Sequence, residues 1–197
     1  MRKLMMSAVV VLGMTSGLIA QSNKNKEHND VFTPGPDNES QLARQIRHNL
    51  LMLPYYSIWD DLTFQLNGGI LILQGACPSD PPWDIKKDAE NAVKNIPGVT
   101  SVTNEIRELP LSDFDWQVRR AEARAIYGDP QIGIRYGAQA LPSIHIIVDN
   151  GHVTLDGVVD NEFDDQIIRT RANQVPNVFS VTDNLIVLNR PKMSSRK

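Results

Sequence analysis

Few residues in this sequence are of a type and spacing that could do chemistry. The histidines are His28, His48, His145 and His152, and the acidic doublets are Asp60-Asp61 and Asp164-Asp165. A metal site needs several such ligands converging on one point, and acid–base work needs carboxyls held at a reacting atom. The hairpin register derived below sets His145 opposite Asp156 and His152 opposite Asp149 on a polar strand face. Solvated cross-strand charge pairs are the simpler reading there. Each acidic doublet lies at an element boundary, which fits capping and solubility. Gly68-Gly69 and Asn150-Gly151 lead into strands rather than helix N-termini, so neither is a phosphate loop. No serine sits in a nucleophile elbow. The expectation is a protein without catalytic residues, cofactor or metal.

Binding surfaces are better supported. Pro54-Tyr55-Tyr56-Ser57-Ile58-Trp59 and Pro81-Pro82-Trp83 concentrate aromatic residues in loops. Tyr55, Tyr56, Trp59 and Trp83 suit a membrane interface or a protein partner; they equally suit covering the ends of a core or joining two units. Arg119, Arg120 and Arg124, with Tyr127 nearby, form the densest basic cluster in an ordered segment. Arg120 and Arg124 are four apart and share a helix face. They could meet lipid phosphate through paired hydrogen bonds, or be the solvated side of a helix that Glu122 dilutes.

The chain has 197 residues, 41% hydrophobic and 22% charged, within the range of globular proteins. Arg2-Lys3, the apolar run Leu4 to Leu12 and a smaller-residue stretch ending at Ala20 read as a secretory signal peptide cut near Ala20. The apolar run is shorter than the roughly 20 residues a membrane span requires, so no span is expected after cleavage. Removing Arg2 and Lys3 from the 20 basic residues leaves 18 against 23 acidic ones, a net charge of −5. No nucleic-acid partner is expected from that balance, and attraction to anionic lipid would need a local patch. Cys77 is the sole cysteine; it cannot staple the fold internally and reads as a buried thiol.

Gln21 to Asn38 is polar and reads as a flexible leader. The N-cap-rich stretch Asp37-Asn38-Glu39-Ser40 then opens a helix, with Leu42, Ile46, Leu50 and Leu53 at helical spacing and Pro54 as its stop. From Leu62 the period becomes two. Leu62, Phe64 and Leu66, a Gly68-Gly69 turn, then Leu71 and Leu73 make a hairpin with one apolar face. Ile70 and Ile72 fall on the other face, a candidate surface for the rest of the chain or for a partner. Ile144, Ile146 and Val148, the Asn150-Gly151 turn, then Val153 and Leu155 repeat the hairpin. A two-residue turn sets Asp149 opposite His152 and Ile146 opposite Leu155. Ile85, Ala89, Val93 and Ile96 mark a helix after the first hairpin, and Ile168, Ala172 and Val175 one after the second. Each helix ends in an echoed phrase, IPGVTSVTNEI in one case and VPNVFSVTDNL in the other. Gly69 and Gly151, like Gly75 and Gly157, are 82 residues apart, whereas the echoes are 79 apart. A three-residue loop difference accounts for the change, and the chain is a duplication.

The second copy has its own opening helix, capped by Asp113 or Asp115, with Val118, Ala121 and Ala125 facing inward before Gly128-Asp129-Pro130. Each copy reads α-β-β-α-β over about 70 residues. The expected class is α+β: two repeated units, each a small three-stranded mixed sheet with two helices on one face. Such a unit is marginal alone, so packing between the two is expected.

The residues Asn67 to Gly75 with Ile96-Pro97-Gly98-Val99 and Val102-Thr103-Asn104 resemble the BON domain, the bacterial osmotic-shock and nodulation module. So do Asn150 to Gly157 with Val175-Pro176-Asn177-Val178 and Val181 to Leu185. Asn177 replaces the usual glycine and Asp183 stands where asparagine is common; asparagine tolerates a left-handed turn. The resemblance implies a tandem protein of the periplasm or outer membrane that contacts envelope phospholipid or envelope proteins, and it names no catalytic residue. The alternative is a periplasmic protein–protein adaptor without lipid binding. The expected boundaries are a signal peptide (1–20), a leader (21–38), a first unit (39–109), a linker (110–115), a second unit (116–189) and a basic tail (190–197).

Overall fold

The structure, a computed structural model, describes Val31, Gly35, residues 39–79 and residues 82–188. The expected signal peptide, the leader apart from Val31 and Gly35, and the basic tail lie outside the described residues, as do His28 and Pro81.

The first unit opens with α1 (Gln41–Leu51), where the Ser40 hydroxyl accepts the Ala43 N–H as the N-cap. Strands β1 (Asp61–Asn67) and β2 (Ile70–Pro78) form an antiparallel hairpin around Gly68-Gly69. Helix α2 (Ile85–Val93), capped by Asp84, crosses back over the sheet. The chain then returns as β3 (Ser101–Asn104) and β4 (Arg107–Leu109), both parallel to β2. These are one strand interrupted at Glu105-Ile106, so the sheet is three-stranded and mixed, with β2 in the centre. Leu62, Phe64, Leu71 and Leu73 on its inner face are buried with Ile46 and Leu50 of α1 and Ala89 and Val93 of α2. Val31 belongs to this core: it is fully buried, and its N–H donates to the Leu62 carbonyl. That point of the expected leader is therefore part of the fold.

The second unit repeats the plan. Strands β5 (Ile144–Asp149) and β6 (His152–Val159) pair in the register the Asn150-Gly151 turn dictates, Asp149 with His152 through Ile144 with Gly157. Helix α5 (Glu162–Ala172), capped by Asn161, leads to β7 (Ser180–Asp183) and β8 (Ile186–Val187), both parallel to β6. Asn177 takes φ 68°, the left-handed conformation that Gly98 takes at the same place in the first unit.

The opening of the second unit departs from expectation. Helix α3 (Asp113–Tyr127) starts inside the expected linker, and Ser112, not an aspartate, caps it by accepting the Asp115 N–H. A short helix, α4 (Pro130–Tyr136), follows where the sequence reads as a stop. Proline suits the first turn of a helix, and Asp129 caps this one. The inward face of α3 is Asp115, Val118, Arg119, Glu122 and Ile126, rather than the alanines. Asp115 accepts the backbone N–H groups of Asn150 and Gly151, pinning α3 to the hairpin turn.

Gly75 and Gly157 show why the repeat keeps glycine where each hairpin ends. Both have positive φ (109° and 140°), and a Cβ there would stand 2.0 Å from the Asp61 carbonyl oxygen and 2.1 Å from that of Ser143. Gly157→Ala is expected to cost about 2–3 kcal/mol in urea unfolding. Gly68→Ala, at φ +56° with open space around it, should cost about 1 kcal/mol. Equal costs would mean that the carbonyl contact does not constrain the hairpin.

Candidate functional site

The two units meet at β5. Its inner residues Ile144, Ile146 and Val148 fill the second core, leaving His145, Ile147 and Asp149 on the outer face. All three contact the first unit. Ile147 is buried with Ala76 and Leu109, and Asp149 accepts a hydrogen bond from Arg107. His145 is fully buried, with Nδ1 2.6 Å from the Asp60 carbonyl oxygen. A carbonyl only accepts, so Nδ1 carries the proton. Burial pushes the His145 pKa down to about 4, so the ring is neutral at physiological pH. The expected solvated His145–Asp156 pair is thus corrected. The register holds, but both residues are buried: His145 lies against Asp60 of the first unit, and Asp156 accepts from Asn184 of its own unit. His152 stays exposed beside Ser180 and Phe179. The inter-unit face of the first sheet is its Ala76, Arg107 and Leu109 end; Ile70, at the other end, remains 51% exposed.

The free edge of β5 is also closed. The Ile146 N–H donates to the Ile58 carbonyl at 2.7 Å, and Arg119 Nη2 donates to the Val148 carbonyl at 2.7 Å. The aromatic loop 54–60 is therefore fastened along a strand edge. Tyr56 stacks beside His145, and Trp59 packs against the second core with its edge toward Trp116 of α3.

Beside this junction lies a cleft of about 280 Å³, lined by Tyr55, Ser57, Trp59, Asp60, Pro78, Trp83, Ile85 and Trp116. Tyr55 and Trp83 form its outer rim, their rings 4.9 Å apart. Asp60 is 3% exposed, and its Oδ2 accepts both the N–H and the hydroxyl of Ser57. Burial raises its pKa to about 6, opposed by the Ser57 hydrogen bonds and by the Arg119 charge. It is thus mostly ionised at neutral pH. Cys77, buried behind Pro78, is pushed up to about 12 by burial and then by Asp60, Glu108 and Asp84, which makes it an inert thiol.

Of the residues singled out from sequence, the structure brings Tyr55, Trp59 and Trp83 to this cleft and places Tyr56 at the junction behind it. It does not bring the arginines together. Arg119 is fully buried with its guanidinium 5.0 Å from the centre of the Trp116 ring, whereas Arg120 and Arg124 are exposed. Tyr127 turns inward, its hydroxyl donating to the Ile144 carbonyl. Sequence reasoning missed Trp116, which reads as an ordinary helix residue, and Asp60, which reads as a surface acid. The one available signal for Asp60 was Ser57 three residues before it, a spacing that allows a side-chain-closed turn. Asp164 is a second acid misread as solvated. It is fully buried and accepts from Gln131, Arg135, Tyr136 and Asn161.

Among the described residues, no group of three or more His, Cys, Asp or Glu side chains is placed to hold a metal. No helix among them is long and apolar enough to cross a membrane.

The sequence pattern of the BON domain family matches residues 136–189, from the end of α4 to just past β8. No curated protein matches the chain. Solved structures similar to the chain include two of CdsD, a structural protein of the type III secretion system of Chlamydia trachomatis. One is 13% identical with a TM-score of 0.30, covering 76% of this chain and 93% of that one. The other, the C-terminal domain, is 14% identical with a TM-score of 0.29, covering 77% of this chain and 100% of that one. Likeness at this level carries no argument about function.

Glu122, one helical turn from Arg119, is fully buried with no hydrogen-bond partner among the described residues, and burial raises its pKa to about 8. Between pH 4.5 and 8 the unfolded chain releases this proton while the folded chain keeps it, so stability falls as pH rises through that window. Glu122→Gln should remove that slope. The variant is expected to gain on the order of 1–3 kcal/mol over the parent at pH 9 relative to pH 4 in urea unfolding. A pH-independent difference would place the Glu122 carboxyl in contact with water.

Proposed function

We propose that the chain is an exported, non-enzymatic protein of two BON-type units that associates with envelope phospholipid. One observation carries the reading. The part matched by the BON pattern, 136–189, has its strand–strand–helix–strand order and its hairpin register repeated in the first unit. The family resemblance of both halves and the basic–apolar start of the chain support the envelope location. Arg120 and Arg124 are exposed on α3, and Tyr55 and Trp83 are 64% and 42% exposed on the first unit. Exposed arginines suit lipid phosphate, and half-exposed aromatics suit the interfacial zone.

Flotation of the mature protein with phosphatidylglycerol vesicles at low salt tests this. Binding is expected to fall by about tenfold or more in the Arg120→Ala/Arg124→Ala double variant, at about 1 kcal/mol for each basic side chain near the surface. Arg119→Ala belongs outside this comparison because it removes an internal contact. Absence of binding to vesicles of any composition at low salt overturns the lipid reading in favour of a protein adaptor.

A further inference from the structure

All three tryptophans of the chain line the junction cleft, two from the first unit and one from α3 of the second. With Tyr55 they supply four aromatic walls, Pro78 and Ile85 close the space with apolar surface, and a carboxylate stands within it. The charges nearby are Asp60, Asp84 and Glu108 against Arg119 and Lys86. Lys86 is paired with Glu108 at 3.7 Å, and Arg119 donates to the Val148 carbonyl from behind Trp116.

This combination selects among ligands. An anion would face Asp60 in a poorly solvated site. A metal ion wants several oxygen ligands, and the cleft lining offers one carboxylate. A primary ammonium carries three N–H donors that would each need an acceptor. A fully methylated ammonium has no donor to satisfy, presents apolar methyl groups to the rings and keeps its positive charge for the aromatic faces and Asp60. The volume of about 280 Å³ lies just below the usual range for drug-sized ligands, so it admits a small headgroup.

We propose that the cleft between the two units binds a quaternary ammonium group, held by the aromatic lining of Trp59, Trp83, Trp116 and Tyr55 and neutralised by Asp60. The inference does not rest on the anionic-lipid reading: Tyr55 and Trp83 figure in both, but the cleft takes a ligand of the opposite charge and does not use Arg120 or Arg124. Such a group occurs both on free solutes such as choline and on the phosphatidylcholine headgroup, and the recognising chemistry is the same.

Because every tryptophan lines the cleft, intrinsic fluorescence of the full chain reports its occupancy directly. The expected result is a saturable change on titration with choline chloride at constant ionic strength, with a dissociation constant of about 1 mM or tighter. 3,3-Dimethyl-1-butanol, the neutral carbon analogue of choline, should bind about tenfold more weakly or not at all. Asp60→Asn, which keeps an oxygen to accept from Ser57, should weaken choline by about tenfold. Trp83→Leu, on the half-exposed rim, keeps the test decisive if the Asp60 variant unfolds, and should also weaken choline several-fold. Flotation with phosphatidylcholine vesicles that free choline reverses identifies the lipid headgroup as the source; choline binding without flotation identifies a free solute. Both outcomes support the site. No saturable change with choline, or an equal response to the neutral analogue, overturns it, whatever phosphatidylglycerol vesicles show.

Discussion

An open strand edge is a liability, and the packing of the two units follows from how the edge of β5 is closed. A free strand edge presents unpaired N–H and C=O groups that either find partners or recruit another chain. Here the Ile58 carbonyl of the first unit accepts the Ile146 N–H, and Arg119 donates to the Val148 carbonyl. Once loop 54–60 is fastened along that edge, Tyr56, Trp59 and Asp60 follow it into the junction. The outer face of β5 is then covered as well, with a neutral imidazole donating to the Asp60 carbonyl and Ile147 filling the space between Ala76 and Leu109. Edge and face together make the outer side of β5 around His145 and Ile147 an internal surface.

That closure explains the unusual helix α3. An amphipathic helix ordinarily turns aliphatic residues inward, yet α3 turns Asp115, Arg119 and Glu122 inward. Two of the three satisfy backbone groups. Asp115 holds the hairpin turn, and Arg119 completes the edge of β5 while lying on Trp116. Glu122 is compatible with its buried position because burial favours its neutral form. Buried polar groups of this kind are weak sources of stability and act by fixing one arrangement over its alternatives. The Asp164 carboxylate, held by four donors from α4, α5 and their flanks, does the same at the other side of the second core.

The hairpins were legible in the sequence because their determinants are local. Alternation in Ile144 to Val148, a two-residue turn and a glycine at position 157 leave one register, and that register is observed. The helix α4 is hidden in the sequence because Pro130 reads as an ending, although proline serves equally well in a first turn. Asp60, in a loop, carries no periodic signal at all, and His145 shows the limit of one. Alternation assigns a residue to a face of its own sheet, but it does not say whether another unit covers that face. Trp116 lacked any local mark, since its partners Trp59 and Trp83 are brought to it only across the junction.

Sequence alone determined the repeat, the strand–strand–helix–strand order, the turn positions and the inner faces of the hairpins, because each depends on side-chain periodicity and on backbone conformations that few residues accept. Tertiary structure alone decided which polar residues are buried, which arginine of the three is internal, and that four aromatic residues and one carboxylate share a cleft. Those outcomes depend on contacts between segments far apart in the chain. They were settled by which surfaces the open edge of β5 required for its closure.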